Sequence, residues 1–435
     1  MVEFVYVQCP ECDGRSPYHK HDLRESGHYL LCPFCGNQFS HQEGSGRLRV
    51  IAQSEGGGGP AAGAAVAATV EDGTRIAHRA KNHIKVSVAS LGEEPTGRYA
   101  DWARLCELLG FDAMFHCDEK WTQDVYVRQG YAAAVTNRIG LGISVTDPFT
   151  RHPALTAQAT ATLNDASNGR LITVMAAGSH FETLVDLKRE RPVRAIREAI
   201  EIMRALWRGE RVTYEGEVIR LGGAKLDWVP EYIPQIWVAG RGPQVLRMAG
   251  AAADGVLMGS FATPPGINYA KGRIGQGLED AGRNWSDITL ASWVYVSILD
   301  HEDEPVPEDA LRGVSHAFWS SRDFFRTHLD EFADDVTDEF RRFLDDAPHE
   351  WSPGVMAQLR SLIPPGIFRS LAIVGTERQV ADRVQELQQE GVQHLVIWPF
   401  PRPAESVEDL TARIARTLLP SIAETRDLGD YQRVD

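Results

Sequence analysis

Apolar residues in this chain gather into eight short runs, at 84–89, 112–117, 139–145, 171–177, 236–239, 255–259, 291–299 and 393–398, each followed by a segment of helical character. Short continuous apolar runs bounded by turn residues are the mark of strands buried on both faces. Eight strand and helix pairs in succession predict a (β/α)8 TIM barrel over residues 83–435. In such a barrel the chemistry belongs at the residues that leave the C-terminal end of each strand.

The stretch 192–207 places Val193, Ile196, Ile200, Met203 and Trp207 on one stripe at spacings of three and four, which predicts a helix covering the strands. Pro192 suits its first turn and Gly209 its end, as Gly391 suits the end of a helix lined by Val380, Val384 and Leu387. Residues 211–221, with Val212, Tyr214 and Val218 around Glu215-Gly216, predict a hairpin outside the regular repeat. Residues 300–365 are too many for a loop and mix aromatic with acidic residues, as at Phe324-Phe325 and Phe340 to Phe343. They read as a helical insertion after the seventh strand, forming either a lid or substrate pocket at the barrel mouth or a dimerisation surface.

Ahead of the barrel the pattern changes. Four of the six cysteines fall in the first 35 residues, as Cys9-Pro-Glu-Cys12 and Cys32-Pro-Phe-Cys35. Two such knuckles present four thiolates to one zinc ion, so residues 1–53 are expected to form a zinc ribbon, with a disulfide pair as the alternative. His19, His21, His28 and His41 are read as bystanders, because four thiolates already close a structural site. Residues 54–82, which begin Ser-Glu-Gly-Gly-Gly-Gly-Pro and continue rich in Ala, read as a flexible linker.

Charge narrows the partners. The formal net charge is −15, and residues 1–55 carry five Lys/Arg against seven Asp/Glu, so the basic footprint that nucleic acid requires is missing. The ribbon is therefore expected to dock a protein or a substrate carrier. No run approaches the roughly 20 apolar residues of a membrane span, and the first residues lack a basic leader followed by an apolar core. A cytoplasmic protein, with a small-molecule substrate and a homo-oligomeric state, is the expectation.

The strand ends carry the candidate chemistry. The second ends in His116-Cys117-Asp118-Glu119, two adjacent carboxylates at the mouth that can exchange protons with a substrate, or else form a solvated acidic loop. The third ends in Gly140-Leu-Gly142-Ile-Ser144-Val145-Thr146-Asp147, where small residues let a flat ligand approach the backbone. The fourth ends in Gly178-Ser179-His180, and His180 is a further proton-transfer candidate. Ala239-Gly240-Arg241-Gly242-Pro243 joins a strand to a helix and suits a phosphate, since backbone N–H groups and the helix dipole favour an anion there.

Several of these segments together resemble the bacterial luciferase-like superfamily, most closely its methylenetetrahydromethanopterin reductase-like, deazaflavin-dependent branch. The resemblance spans residues 83 to about 422 and rests on Leu109-Gly-Phe-Asp112, Arg151-His-Pro153 leading to Ala161-Thr-Leu163, Gly169-Arg-Leu171, Trp207-Arg-Gly-Glu210, Ile236 to Pro243, Ala253-Asp-Gly255 and Gly375-Thr376. It implies coenzyme F420 (an 8-hydroxy-5-deazaflavin) or FMN across the barrel mouth, with the ring backed by a nonprolyl cis peptide at Ser144-Val145. It further implies Thr146 and Asp147 at the ring edge, Gly178 and Ser179 at the ribityl or phosphate region, and Ala239, Gly240, Arg241 and Gly242 at the phosphate. Many relatives carry His where this chain has Glu119. The implied activity is hydride transfer between the deazaflavin and an organic substrate, with Glu119 or Asp118 moving the proton. The alternatives are an FMN-dependent monooxygenase and, from another class, a non-catalytic flavin-binding scaffold recruited through the ribbon.

Overall fold

The computed structural model describes residues 84–424 apart from 93, 179–186 and 349–351, and four short strands nearer the N-terminus. The chain divides into two units, residues 84–423 and the remainder, and each is described by itself. In the smaller, β1 (Phe4–Gln8) pairs antiparallel with β2 (Arg15–His19), and β3 (Tyr29–Leu31) with β4 (Gln38–Ser40). Each hairpin brackets one Cys-x2-Cys pair in sequence. Cys9, Cys12, Cys32 and Cys35 themselves, and the linker 54–82, lie outside the described residues.

The larger unit is a closed parallel barrel. Its staves are β5 (Lys85–Ser90), β6 (Ala113–His116), β7 (Gly140–Thr146), β8 (Leu171–Met175), β11 (Gln235–Gly240), β12 (Gly255–Gly259), β13 (Thr289–Leu299) and β15 (His394–Pro399), and the β12–β13 pairing closes the ring. The register sets which residues face inward. Ser87 pairs with Val396, Ala89 with Phe115, Phe115 with Gly142, Trp237 with Gly255, and Tyr295 with Trp398.

Large rings fill this interior, and glycines make room for them. A Cβ at Gly142 would stand 2.0 Å from Phe115, and one at Gly255 would stand 2.6 Å from Trp237. His394 lies edge-on to Trp237 with centroids 5.3 Å apart, and its Nε2 is 2.6 Å from the Ser87 hydroxyl. Burial, with a contribution from Lys85, lowers the His394 pKa to about 3, so the imidazole is a neutral part of the core.

Eight strands were expected, and the sheet has nine. The additional one, β14 (Ala372–Thr376), pairs with Tyr295–Leu299 of β13, beyond the stretch of β13 that closes the ring. It follows the helix Pro365–Leu371 with no turn residue between them, so nothing in the sequence sets it off as a separate strand. Between β8 and β11 stand α4 (Pro192–Trp207), whose predicted stripe is buried except for a half-buried Val193, and the hairpin β9 (Val212–Glu215) and β10 (Arg220–Ala224). The hairpin turn is held by Glu198 of α4. Its side chain is fully buried and accepts the N–H groups of Glu217, Val218 and Ile219 at 2.8, 3.1 and 2.8 Å.

The insertion is five helices, α7 (Glu308–Trp319), α8 (Arg322–Phe332), α9 (Asp338–Asp346), α10 (Pro353–Leu362) and α11 (Pro365–Leu371), so it runs past the expected end at 365. Its aromatics extend the barrel core outward: Phe318 stacks on Phe325 at 4.8 Å, and Phe332 stacks on Phe261, just beyond β12, at 5.4 Å. The intervening acids face outward, which explains the mixed aromatic and acidic pattern. No described helix is long and apolar enough to cross a membrane.

Candidate active site

At the barrel mouth the peptide bond between Ser144 and Val145, near the end of β7, is cis. The pairing with β8 slips there, from Ser144–Val174 to Thr146–Met175. The slip turns the Thr146 hydroxyl toward the end of β6, where it donates to Asp118 Oδ2 at 2.8 Å. The Tyr126 hydroxyl, from α2 (Val125–Val135), lies 3.5 Å from the same Thr146 oxygen. Burial raises the Asp118 pKa above the usual carboxylate value, against the opposing pull of Lys120 and of the Thr146 hydrogen bond. Burial likewise lifts the Tyr126 phenol to about 12, so it acts as a neutral donor. Asp118 is thus a half-buried carboxyl of raised proton affinity near the cis bond.

The neighbouring carboxylates do other work. Asp147 is fully buried and accepts the N–H groups of Phe149 and Thr150 at 2.8 and 2.7 Å, the Thr150 hydroxyl at 2.7 Å and Lys120 Nζ at 3.0 Å. It builds the turn that leaves β7, so its carboxylate is committed to the protein. Lys120 also donates to the Asp118 carbonyl at 3.0 Å and so ties the exits of β6 and β7 together. Glu119 is half-buried, and its carbonyl accepts the Thr122 hydroxyl.

Beneath these groups lies a cluster that the sequence pattern did not single out. Arg128, fully buried on α2, donates to the Glu94 carbonyl at 2.7 Å and to its carboxylate at 2.9 Å, and stands 4.5 Å over the Tyr99 ring. His116 Nε2 is 3.5 Å from Arg128, and burial, then the Arg128 charge, lower its pKa to about 3. Gly92, at φ +105°, passes so close that a Cβ would meet His116 at 2.7 Å. The loop leaving β5 is therefore clamped onto the end of β6. The available signal was that Arg128 is the one charged residue in the otherwise uncharged helix VYVRQGYAAAV.

The expected phosphate cradle is divided in its roles. Arg241 turns back into the protein, donating to the Gly259 carbonyl at 2.5 Å, the Ser321 hydroxyl at 2.6 Å and the Ser260 hydroxyl at 3.2 Å, and burial lowers its pKa. It fastens the insertion to the barrel. A Cβ on Gly240 would collide with Val245 at 2.4 Å, so that glycine serves packing, with Ala239 half-buried below it. Gly242 differs: nothing lies within 4 Å of a Cβ there, and it caps α5 (Pro243–Ala252), whose N-terminus has no side-chain cap. At the end of the neighbouring strand β8, Gly178, at φ +72°, gives its carbonyl to Arg189 at 3.0 Å, while Ser179 and His180 lie outside the described residues.

These features suit a flat, phosphorylated, ring-bearing cofactor. The Ser144 hydroxyl, at the cis bond, is buried without a hydrogen-bond partner among the described residues, and the uncapped start of α5 leaves backbone N–H groups for an anion. Gly142, in contrast, makes room for Phe115 rather than for a ligand. Among the described residues no group of three or more His, Cys, Asp or Glu is placed to hold a metal.

Known proteins share this architecture. The chain is 30% identical over 297 residues to the 5,10-methylenetetrahydromethanopterin reductase of Archaeoglobus fulgidus, covering 68% of this chain and 87% of the relative. It is 28% identical over 288 residues to the phthiodiolone/phenolphthiodiolone dimycocerosates ketoreductase of Mycobacterium bovis, covering 64% and 73%. In structure it resembles the coenzyme F420-dependent tetrahydromethanopterin reductase of Methanopyrus kandleri, with a TM-score of 0.63 at 23% identity over 78% of this chain and 99% of that one. An F420-dependent secondary alcohol dehydrogenase in complex with an F420-acetone adduct follows at 0.61 and 18%, over 79% and 100%. The luciferase-like monooxygenase family profile matches residues 66–394, and with the barrel, the cis bond and the reductase relatives this shows that the chain is an enzyme of the luciferase-like family of flavin and deazaflavin oxidoreductases.

Proposed function

We propose that this enzyme uses coenzyme F420 to move a hydride to or from an organic substrate, with Asp118 as the proton-transfer group. The observation that carries the reading is the Asp118 carboxyl, of raised proton affinity, bonded at 2.8 Å to the residue just past the cis Ser144-Val145 bond. Ser144, Val145 and Thr146 would back and edge the ring, and Gly178 and Gly242 would border the ribityl phosphate. When bound, the deazaflavin supplies the hydride donor or acceptor. The protein's part is to place the ring, exclude water and pass a proton through Asp118, whose carboxyl is held by the Thr146 hydroxyl while Lys120 fixes its backbone carbonyl. Thr146 donates to one oxygen only, which leaves the other available to a substrate oxygen or nitrogen. Glu119 is the second candidate for the same role.

Fluorescence titration with F420 and with FMN tests the coenzyme, and saturation by F420 with no saturation by FMN is the expected result. Asp118→Asn should reduce turnover of any confirmed substrate by about 100-fold or more while leaving coenzyme affinity within a few-fold. Full turnover in Asp118→Asn together with a large loss in Glu119→Gln would move the role to Glu119. Saturation by FMN alone would favour the monooxygenase reading, which the family match also accommodates.

For residues 1–53 the proposal is a zinc ribbon through Cys9, Cys12, Cys32 and Cys35, supported by the paired spacing and by the two hairpins that bracket it, and serving to dock a protein or substrate carrier. A homo-oligomer is supported by exposed Val127 and Tyr131 on α2 and Leu155 on the next helix, and light scattering of the Tyr131→Glu variant against the parent tests it.

A further inference from the structure

The wall of the mouth that faces the cis bond is aromatic. In a ring of eight strands β13 stands four positions from β7 in either direction, so the inward residues of β13 and its neighbour β15 look across at the cis peptide. Those residues are Trp293 and Tyr295 on β13, with Trp398 on β15 and Phe400 just beyond it. Trp398 and Phe400 stack at 5.5 Å and 17°, Tyr295 lies 5.5 Å from each, and Trp293 meets Trp398 edge-on at 5.7 Å. Trp293 and Tyr295 are buried, whereas Trp398 and Phe400 are only half-buried and present part of their rings to the mouth.

The wall is held rigid from behind. Arg402 bonds to Asp300 at 2.5 Å and Glu405 at 3.5 Å, and Arg413 to Asp300 at 2.9 Å and to the carbonyls of Ile298 and Leu299 at 3.2 and 3.1 Å. The ends of β13 and β15 are thereby tied together. Above them α7 leans on the wall at Gly313, where a Cβ would stand 2.3 Å from Phe400. The cations that border the wall, Arg241, Arg402 and Arg413, all have protein acceptors, while the side facing it carries the Asp118 carboxyl. Among the described residues this is an apolar surface without a cation set out for an anionic group.

We propose that Tyr295, Trp398 and Phe400 form the substrate subsite, and that it takes an uncharged carbonyl or alcohol compound with an extended aliphatic or aromatic body. The inference rests on the oxidoreductase reading above and adds the substrate class. A ring laid on the cis bond leaves the facing aromatic surface for the second reactant, and apolar burial against it supplies affinity in proportion to the area covered.

The test is calorimetric titration of the full-length protein, with and without F420, using 2-pentanone, 2-heptanone, 2-nonanone, acetophenone and the anion 2-oxooctanoate. Affinity should rise about fourfold for each added methylene that is buried. The oxo acid should bind at least about tenfold more weakly than 2-nonanone, since its carboxylate would lose its hydration against the apolar wall and meets no free cation among the described residues. Trp398→Ala should flatten the series and leave the F420 midpoint unchanged. Should that variant fail to fold, Phe400→Leu, which keeps an apolar body under α7, should lower the acetophenone affinity severalfold. Flat affinity along the series, tighter binding of the oxo acid, or a series unaltered in folded variants would overturn the proposal. A rising series in a protein that binds neither F420 nor FMN would leave the apolar subsite standing and remove the oxidoreductase reading, while F420 binding with a flat series would do the reverse.

Discussion

Replacing Gly142 by alanine separates two explanations of why the third barrel strand is so rich in small residues. The added methyl would stand 2.0 Å from Phe115 Cδ1 and 2.4 Å from its Cε1 and Cγ. Carbon atoms pack at about 3.5–4.0 Å, so the ring has to move by more than an ordinary thermal fluctuation. It has little freedom to do so, because Trp237 and His394 hold it at centroid distances of 6.1 and 5.9 Å. Overpacking of this kind costs about 1–3 kcal/mol, and the rigid neighbours put Gly142→Ala at the upper end. Phe115→Ala alone should cost about 3–5 kcal/mol through the void it leaves. In the double variant the new methyl occupies part of that void, so the combined loss should fall short of the sum by about 1–3 kcal/mol. Urea unfolding followed by circular dichroism measures all three. If Gly142→Ala unfolded with the parent but bound F420 far more weakly, the glycine would be there for ligand approach and the interior-packing argument would be wrong.

Three further outcomes are expected. Because burial raises the Asp118 pKa in the folded state, its contribution to stability is full below the unfolded value near 4 and is lost as pH rises through the folded value; Asp118→Asn should therefore melt higher than the parent at pH 8 and lose that advantage toward pH 4, and a gap that widened at acid pH would contradict the sign. Glu198→Ala removes the shared acceptor of three backbone N–H groups, so it should destabilise the barrel unit by about 2–4 kcal/mol, with amide exchange accelerated first at Glu217 to Ile219; unchanged exchange there would refute its role in holding the hairpin. Purified under reducing conditions, the full chain should carry one zinc per molecule by plasma emission analysis and Cys32→Ser should carry far less with the barrel melt intact, whereas a zinc-free parent would remove the ribbon proposal.

The barrel was legible because a strand buried on both faces has to be apolar along its whole length, and eight such runs separated by helices leave few alternative folds. The helix 192–207, the hairpin near Glu215-Gly216 and the helix start at Pro243 were legible for similarly local reasons: a stripe, a turn dipeptide, a proline at a first turn. So was the cis position, through resemblance. Tertiary structure alone decided the roles of side chains that look alike in sequence. Asp118 and Asp147 are both acids at strand ends, yet a register slip aims Thr146 at the first, and a tight turn consumes the second. Arg241 sits in a loop that suits an anion, but its guanidinium reaches the end of one strand, at Gly259, and the cap of a helix, at Ser321, both distant in sequence. β14 exists because β13 is long enough to outrun its ring partners, and Gly142 is a glycine because Phe115 of the neighbouring strand lies against it. Each of these depends on which strands become neighbours and in what register, and a local pattern carries no information about the distant residue that completes the contact.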